Sequence, residues 1–341
     1  MKAFVTGGTG FLGTHIVQEL DRAGWDIVAL HRKNSDLREL KKLRNVEFRL
    51  GDITDRASLR AAMPEAVDAV FHTAGSAENL PHAMEHIRYA INRDGTRNVV
   101  DTCLEKKIGR LIYTSTVLTY DFHAHKTVTE DSPPNDWCKD PYIHSKRLAD
   151  NEIRRGIELG LDIVSMHPSA VFGAYDKATW SKMFLEIERG LPLPFAPPGG
   201  GSVCHALKVA RAHVDAWRLG GKGEHYILGG PDVTWLQVAK EIANLLGKRA
   251  PIAALPTFLF KAYGWTEFAV SSLIKREPML TPHTINILTE HVYSDSGKAL
   301  KTLGYRSSSL HEMLSDCYRW MVAEGMLDRP LPIADAQTDM G

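Results

Sequence analysis

A glycine-rich stretch near the start of the chain constrains the fold more than any other feature. Residues 6–13, Thr-Gly-Gly-Thr-Gly-Phe-Leu-Gly, follow a short apolar strand and open an amphipathic run that predicts a helix. Gly7 permits a tight turn, Gly10 lets a pyrophosphate approach the backbone, and Gly13 allows the helix to pack against the strand. Backbone N–H groups at the helix start then face the phosphates. This stretch predicts a dinucleotide-binding turn.

Further apolar runs, separated by helical patterns, predict the rest of a sheet. They occupy residues 27–30, 46–50, 69–72, 111–114 and 163–166. Apolar runs that alternate with helices favour parallel strands covered on both faces, so we expect an α/β fold with a doubly wound parallel sheet of the Rossmann type. Residues 226–228 are expected to return to this sheet. Thr234 with Gln237, and Ser309 with Glu312, mark capping boxes at helix starts.

The composition of the sequence changes after Pro168, and prolines and glycines are frequent as far as residue 201. We therefore expect two interleaved units. Residues 1–170 with 202–228 are predicted to form the dinucleotide-binding Rossmann domain. Residues 171–201 with 229–341 are predicted to form a smaller C-terminal lobe that binds the substrate.

Composition argues against several classes of partner. Lysine plus arginine and aspartate plus glutamate number 41 each, so no field attracts nucleic acid or a membrane surface. The scattered cysteines lack a Cys-x-x-Cys pair, which predicts reduced thiols, no metal site and a cytoplasmic location. No apolar leader precedes the first strand. Residues 252–274 are too polar for a membrane span, but they could form an amphipathic cover.

A second motif, Tyr142-Ile143-His144-Ser145-Lys146, indicates proton transfer. Residues four apart share one face of a helix, so the Lys146 ammonium is expected beside the Tyr142 phenol, where it would lower the pKa of that phenol. Such a tyrosine can exchange protons near neutral pH. With the glycine-rich turn, the motif predicts an enzyme that binds a dinucleotide and moves a proton.

The histidines are predicted to be structural. His123 and His125 lie close together in sequence, but no acidic or cysteine ligands stand at metal-binding spacing. We expect these two to be solvated loop residues, and we expect His72 and His213 to have core or packing roles.

Several motifs in order resemble one family over nearly the whole chain. The matching stretches are residues 6–13, 51–52, 71–75, 92, 95–96, 113–116, 142–146, 167–173 and 226–230. They resemble the extended short-chain dehydrogenases/reductases of the epimerase/dehydratase superfamily, in the dihydroflavonol-reductase and 3β-hydroxysteroid-dehydrogenase-like branch. The resemblance implies hydride transfer between a nicotinamide cofactor and a carbonyl or alcohol carbon.

The resemblance also implies a set of cofactor contacts. Asp52 and Ile53 would hold the adenine, Val171 would contact the nicotinamide carboxamide, and Lys146 would bind the nicotinamide ribose. The complete implied set is Gly7, Thr9, Gly10, Phe11, Leu12, Gly13, Arg32, Asp52, Ile53, Thr73, Ala74, Gly75, Asn92, Tyr142, Lys146, Pro168 and Val171.

The catalytic hydroxyl departs from the family pattern. Relatives usually carry serine after the fifth strand, whereas the aligned residue here is Thr116, preceded by Ser115. Threonine can donate the same hydrogen bond, although its methyl group stiffens the side chain, and Ser115 remains the alternative. The expected catalytic set is Thr116, Tyr142 and Lys146, in which Tyr142 supplies the proton. A second departure is His167, where many sugar-directed relatives carry arginine or another polar residue.

Cofactor choice is predicted from the residues after the second strand. NAD enzymes usually place an acid there, whereas this chain has His31-Arg32-Lys33, with Arg38 shortly after. Arg32 is the best partner for a 2′-phosphate, so the predicted cofactor is NADP(H).

Three functions compete at this point. The first is an NADP-dependent carbonyl reductase or alcohol dehydrogenase, the second a nucleotide-sugar epimerase or dehydratase, and the third a cofactor-binding sensor. A sensor has no need for Tyr142 and Lys146. A dehydratase would carry an acidic pair where Val117 and Leu118 stand, and a nucleotide diphosphate needs arginines that residues 201–205 do not supply. The first function is favoured.

The predicted substrate is a small, uncharged and largely apolar ketone or aldehyde. Residues 191–196 and 255–260, with Tyr263, Trp265 and Phe268, offer aromatic and aliphatic groups but few fixed cations. Such walls bind by burying apolar area.

The predicted assembly is a homodimer. By resemblance, the helix carrying Tyr142 and the helix beginning near Asn92 would pair with their copies in a four-helix bundle. The apolar positions considered for that face are Val99, Val100, Leu104, Leu148 and Ile153.

Overall fold

The computed structural model describes residues 1–77, 84–177, 179–190, 195–274 and 280–328. Elements are numbered along the chain. The strands of the larger sheet are β1 (Lys2–Thr6), β2 (Asp26–His31), β3 (Val46–Leu50), β4 (Ala69–His72), β5 (Leu111–Thr114), β6 (Ile163–Pro168) and β10 (His225–Leu228). They run parallel in the order β10-β6-β5-β4-β1-β2-β3. The predicted return of residues 226–228 to the sheet is confirmed, with β10 beside β6.

Helices cover both faces of this sheet, which confirms the doubly wound prediction. They are α1 (Phe11–Arg22), α2 (Arg56–Ala62), α3 (Glu85–Tyr89), α4 (Gly95–Glu105), α5 (Pro141–Glu158), α7 (Ala206–Leu219) and α11 (Gly297–Leu303). Side chains alternate along β1, so that Ala3 and Val5 pack under α1 and α7, whereas Phe4 packs on the opposite side with α2, α4 and α5. Burial on both faces explains why inner strands such as β1 and β4 are almost continuously apolar, whereas the edge strand β3 is only partly buried and carries Glu47 and Arg49.

The remaining elements form a smaller, mixed structure. Its strands are β7 (Ala170–Phe172), β8 (Phe195–Ala196), β9 (Gly200–His205), β11 (Asp232–Thr234), β12 (Ala253–Ala254) and β13 (His291–Val292). β9 pairs with β7, β11 and β13, and β8 pairs with β12. The helices are α6 (Ser181–Arg189), α8 (Trp235–Leu245), α9 (Thr257–Leu273), α10 (Pro282–Thr289) and α12 (Leu310–Ala323). Both predicted capping boxes are present, at the starts of α8 and α12.

Chain connectivity interleaves the two parts. β9 runs through residue 202, where a domain boundary was predicted, and belongs to the smaller sheet. α11 lies late in the chain, yet it packs against α7 and β10 of the larger sheet. The predicted division into two domains stays a prediction. Residues 191–194, part of the predicted substrate wall, lie outside the described residues.

Buried polar side chains follow the sequence predictions. His72 hydrogen-bonds Thr6 (2.7 Å) and Thr96 (2.9 Å), and His213 bonds Thr114 (2.9 Å), so both histidines have the predicted core roles. The four cysteines are free thiols, as predicted. Burial raises the pKa of the Cys204 thiol to about 12.

The apolar positions considered for a dimer face belong largely to the core of the chain. Val99 and Val100 of α4 and Ile153 of α5 are fully or almost fully buried in the core cluster beneath these helices. The homodimer therefore stays a prediction that those three residues cannot support. A separate observation concerns membranes, since no helix in the described ranges is long and apolar enough to cross one.

Candidate active site

The loops that follow β1 to β4 enclose a cleft of about 560 Å³ at the carboxyl edge of the sheet. This edge is where open α/β sheets bind their ligands. The residues of the predicted cofactor set that line it are Gly7, Thr9, Gly10, Phe11, Leu12, Gly13, Arg32, Asp52, Ile53, Thr73, Ala74 and Gly75. Tyr175, Trp320 and Glu324 also line the cleft and were not predicted.

Two glycines of the first loop hold positions that no other residue can occupy. Gly7 has a φ of 74°, and a Cβ there would lie 2.5 Å from the backbone nitrogen of Ala74. A Cβ at Gly13 would collide with the carbonyl oxygen of Gly7. The start of α1 is thus held against the loop, and its first-turn N–H groups face the cleft. This cradle fits the pyrophosphate of a dinucleotide.

Cations and carboxylates cluster at the far end of the cleft. Asp36 pairs with Arg38 (3.0 Å) and Lys177 (2.8 Å), and Arg38 also reaches Glu324 (3.2 Å). The hydrogen bond from Arg38, then that from Lys177, holds the pKa of Asp36 well below its usual range. In the parts of the chain that the structure describes, no carboxylate lies within ion-pair distance of the Arg32 guanidinium, which also lines the cleft.

The start of α5 positions the predicted catalytic pair. Asp140 caps the helix by accepting from the N–H groups of Tyr142 (3.0 Å) and Ile143 (3.1 Å). The Thr116 hydroxyl lies near enough to the Tyr142 phenol to lower the pKa of that phenol. The Lys146 ammonium donates to the Thr114 carbonyl (2.8 Å). The structure therefore brings Thr116, Tyr142 and Lys146 together at the end of β5.

The hydroxyl of Ser115 is engaged elsewhere. It donates to the carboxylate of Asp150 at 2.7 Å. Asp150 stands four residues after Lys146 on α5, so the bond ties the loop after β5 to the helix that carries the catalytic pair. Of the two candidate hydroxyls, the one that faces Tyr142 belongs to Thr116.

The electrostatics of Tyr142 differ from the prediction. Burial raises the pKa of Tyr142 to about 12, and the hydrogen bond from Thr116 and the nearby Arg88 cation oppose that rise. The prediction of a lowered pKa is thus wrong for this structure, because desolvation outweighs the favourable charges. Burial also lowers the pKa of Lys146 to about 8, with Asp150 acting in the opposite direction.

Comparison with known proteins assigns this arrangement to a family. A sequence model described as the NAD dependent epimerase/dehydratase family matches residues 3–229, well over half of the chain. The chain belongs to the NAD-dependent epimerase/dehydratase family. Its members depend on a nicotinamide cofactor, which agrees with the glycine cradle. The chain is therefore an enzyme of the extended short-chain dehydrogenase/reductase type.

Named relatives lie in the predicted branch. A putative dihydroflavonol 4-reductase from Synechocystis sp. is 28% identical over 330 residues, which is 94% of this chain and 95% of the relative. Sterol demethylase protein B from Methylococcus capsulatus is 26% identical over 337 residues, which is 96% of this chain and all of the relative. The crystal structure of gox2253 is 26% identical with a TM-score of 0.80, covering 96% of this chain and 99% of that one. These findings confirm the resemblance.

Asn92, a predicted cofactor residue, has a different observed role in this family member. Its side chain is buried in a π-helical turn, Ala90–Asp94, and bonds both backbone groups of Ser76 (2.8 and 3.1 Å). It also donates to Ser145 (2.9 Å), whose hydroxyl donates to the Tyr142 carbonyl (2.8 Å). Asn92 thus fastens the loop after β4 to the start of the catalytic helix.

Two further predicted contacts lie apart from the dinucleotide cleft. Pro168 ends β6 beside Leu228, and Val171 lies in β7 beside Cys204. Neither lines the cleft described above. His167, the second departure from the family pattern, bonds the Thr116 carbonyl (3.2 Å) and His225 (3.0 Å). The histidine therefore supports the backbone of the catalytic threonine.

The cation nearest the Tyr142 ring was not predicted. The Arg88 guanidinium lies 5.9 Å from the ring centroid, is buried, and pairs with Glu85 at 2.8 Å. It also donates to the Ser76 carbonyl (3.1 Å). No local pattern marks Arg88, whereas Asp150 could have been found from its spacing of four residues after Lys146.

Part of the predicted apolar wall lies on α9. Phe258, Leu259 and Trp265 lie on the exposed side of that helix, and their role in lining a substrate site stays a prediction. Another apolar group packs around Tyr142. Its buried members are Val117, Tyr120, Phe122, Val128, Ile143, Ile227 and Val292, and its partly buried members are Leu118, Cys138 and Ile287.

Proposed function

We propose that this enzyme is an NADP(H)-dependent carbonyl reductase or alcohol dehydrogenase acting on a largely apolar ketone or aldehyde. The observation that carries the proposal is the placement of Thr116, Tyr142 and Lys146 together at the edge of the sheet that holds the dinucleotide cleft. The names of two relatives, a dihydroflavonol 4-reductase and a sterol-4-alpha-carboxylate 3-dehydrogenase, support the same class of reaction.

Each of the three catalytic side chains has a separate role in the proposed reaction. A bound nicotinamide supplies or accepts the hydride. Tyr142 donates a proton to the carbonyl oxygen during reduction, and its pKa of about 12 keeps it protonated at neutral pH. Thr116 hydrogen-bonds the same oxygen and polarises it. Lys146, with a pKa of about 8, carries positive charge at neutral pH and would bind the nicotinamide ribose.

The proposed preference for NADP rests on Arg32. Arg32 lines the end of the cleft that follows β2. Asp36, the nearest acid in sequence, is engaged by Arg38 and Lys177 and is poorly placed to accept ribose hydroxyls. A planar guanidinium binds a phosphate with two parallel hydrogen bonds, which favours a 2′-phosphate over a free hydroxyl.

The proposed substrate class rests on the surroundings of Tyr142. The partly buried Leu118, Cys138 and Ile287 offer apolar contact beside the phenol. Arg88 lies near the ring, but its guanidinium is engaged by Glu85 and by the Ser76 carbonyl, so it is poorly placed to bind a phosphate. A desolvated nucleotide diphosphate would need several uncompensated cations, whereas an uncharged carbonyl compound needs none.

NADPH consumption with a panel of aromatic ketones, aldehydes and steroid ketones tests the proposal, with UDP- and dTDP-sugars as controls. We expect kcat/KM for the carbonyl panel to exceed that for any sugar nucleotide. Interconversion of a sugar nucleotide without net NADPH consumption would overturn the proposal in favour of an epimerase. Dissociation constants for NADPH and NADH, measured on the same preparation, test the cofactor separately.

A further inference from the structure

Helix α9 is apolar on both of its sides. Its inner side is fixed to the smaller part of the protein, because Phe260 and Gly264 are buried and a Cβ at Gly264 would press on Ile285 of α10 at 2.7 Å. Its two charged residues do not occupy the outer side. Glu267 accepts from Ser271 (2.7 Å) and from the N–H of Leu280 (3.1 Å), and Lys261 is half-buried.

The outer side forms a continuous uncharged face. At 100° per residue its members span about 140° of the helix circumference, over about 23 Å of length. They are Phe258, Leu259, Ala262, Trp265, Thr266, Ala269, Val270 and Leu273. The exposed fraction reaches 70% for Phe258 and 83% for Leu273. We call these eight residues the α9 face.

This exposure is concentrated rather than scattered. Of the large hydrophobic residues that are exposed in the described chain, 7 of 15 lie between residues 252 and 274. Single exposed apolar residues are normal on a soluble protein, but seven large ones within one stretch of the chain form a contiguous apolar surface of the kind that binds a partner or a membrane. The α9 face is therefore expected to be covered in use.

We propose that the α9 face docks on a lipid surface and holds the enzyme there without crossing the bilayer. The face is a ridge one helix wide and about 23 Å long. Apart from the Trp265 indole N–H, its one polar side-chain group is the Thr266 hydroxyl, which already donates to the Ala262 carbonyl (2.8 Å). A protein interface typically carries about one hydrogen bond per 100–200 Å² and a polar rim, so this face is poorly suited to a second copy. A lipid surface asks only that apolar side chains enter it, and each adds to the affinity independently.

Charge supports the same occupant. The α9 face has no charged residue, and the whole chain has a formal net charge of zero. Attraction to lipid is therefore expected from the insertion of apolar side chains rather than from headgroup charge. Trp265 lies midway along the length of the face, at one edge of its arc, and indole rings favour the boundary between headgroups and acyl chains. Binding should therefore occur on neutral lipid and be insensitive to salt.

The position of α9 gives this docking a use that rests on the proposed function. α9 packs against α10, and Ile287 of α10 belongs to the apolar group around Tyr142. One helix thus separates the lipid surface from the apolar surroundings of the phenol. An apolar substrate dissolved in lipid would reach the site over a short path.

Flotation of the full chain with neutral phosphatidylcholine vesicles tests the proposal. We expect the wild-type protein to float with the vesicles at low and at high salt. Leu273→Glu and the Trp265→Glu variant should each lower the partition coefficient at least about tenfold. Leu159→Glu is the matched control, because Leu159 also stands at a helix C-terminus and is 58% exposed, but it caps the end of α5 instead of α9. It should bind like the wild type.

Several outcomes would overturn the proposal. They are failure of the wild type to float at millimolar lipid, loss of binding in Leu159→Glu to the same extent, or a lipid-free dimer that Leu273→Glu converts to a monomer. The last result would assign the face to a second copy. Quenching of tryptophan fluorescence by brominated lipid, lost in a Trp265→Phe variant that still floats, would place that residue in the lipid. Turnover of a water-soluble aldehyde reports on the proposed function alone, so the two failures are distinguishable.

Discussion

Replacing Thr116 by valine and Ser115 by alanine separates catalysis from stability at two adjacent positions. Thr116 faces the Tyr142 phenol, whereas Ser115 donates to Asp150 at 2.7 Å. Valine has nearly the shape of threonine, so Thr116→Val removes little beyond the hydroxyl. Loss of one hydrogen-bond donor to a developing oxyanion costs about 2.7–4 kcal/mol, or about 10²–10³ in kcat. We expect that loss in Thr116→Val.

Ser115→Ala should behave in the opposite way. A hydrogen bond to a charged group contributes about 1.5–3 kcal/mol when fully buried. Because Asp150 is only half-buried, water replaces part of that bond, and we expect the free energy of unfolding to fall by about 1 kcal/mol. The kcat should stay within a few fold of wild type.

The assay is steady-state kinetics with NADPH and the best carbonyl substrate, paired with urea unfolding of each variant. The reasoning fails if Ser115→Ala loses kcat a hundredfold while Thr116→Val keeps it. Equal loss of stability in both variants, with kcat unchanged in both, would also contradict it.

Three further predictions address the other residues of the site. Tyr142→Phe should lower kcat by a factor of about 10²–10⁴ while cofactor binding persists. Lys146→Ala should abolish turnover with the fold intact. A near-normal kcat in Tyr142→Phe would refute the mechanism. Arg32→Ala should weaken NADPH binding and leave NADH binding almost unchanged, and titration calorimetry showing equal losses would contradict the assignment. Arg88→Met removes a cation that favours the Tyr142 phenolate, so the pKa of Tyr142 should rise and the rate of alcohol oxidation at pH 9 should fall, with partial recovery in Arg88→Lys.

Local signals account for what the sequence predicted well. The runs at 69–72 and 111–114 coincide with β4 and β5, because short apolar runs bounded by polar residues can bury both faces of a parallel strand. The run at 46–50 coincides with β3, which lies at the sheet edge and is only partly buried. The glycine loop could be predicted from the sequence because only glycine fits at positions 7 and 13, where backbone atoms leave no room for a side chain. Both features depend on residues that are neighbours in sequence.

Tertiary placement accounts for what the sequence missed. Arg38 and Glu324 are 286 residues apart and share one ion pair at the cleft, and no local pattern connects them. The pKa of Tyr142 was predicted in the wrong direction because spacing on a helix reports the nearby lysine but not the depth of burial. The apolar content of α9 was visible, yet its periodicity could not say which side the rest of the chain covers.

The hydrogen bonds of the Asn92 side chain couple two parts of the site that could otherwise move separately. Through Ser76 it holds the loop after β4, and through Ser145 it reaches the Tyr142 carbonyl. All of these donors and acceptors are buried or nearly so, which makes any single rupture costly. Slow amide exchange at Ser76 and at the first turn of α5 should therefore be lost in one cooperative opening. A shorter side chain at Asn92 would break the link between the loop that lines the cofactor cleft and the helix that places the proton donor. We expect such a variant to keep its cofactor affinity but to lose turnover.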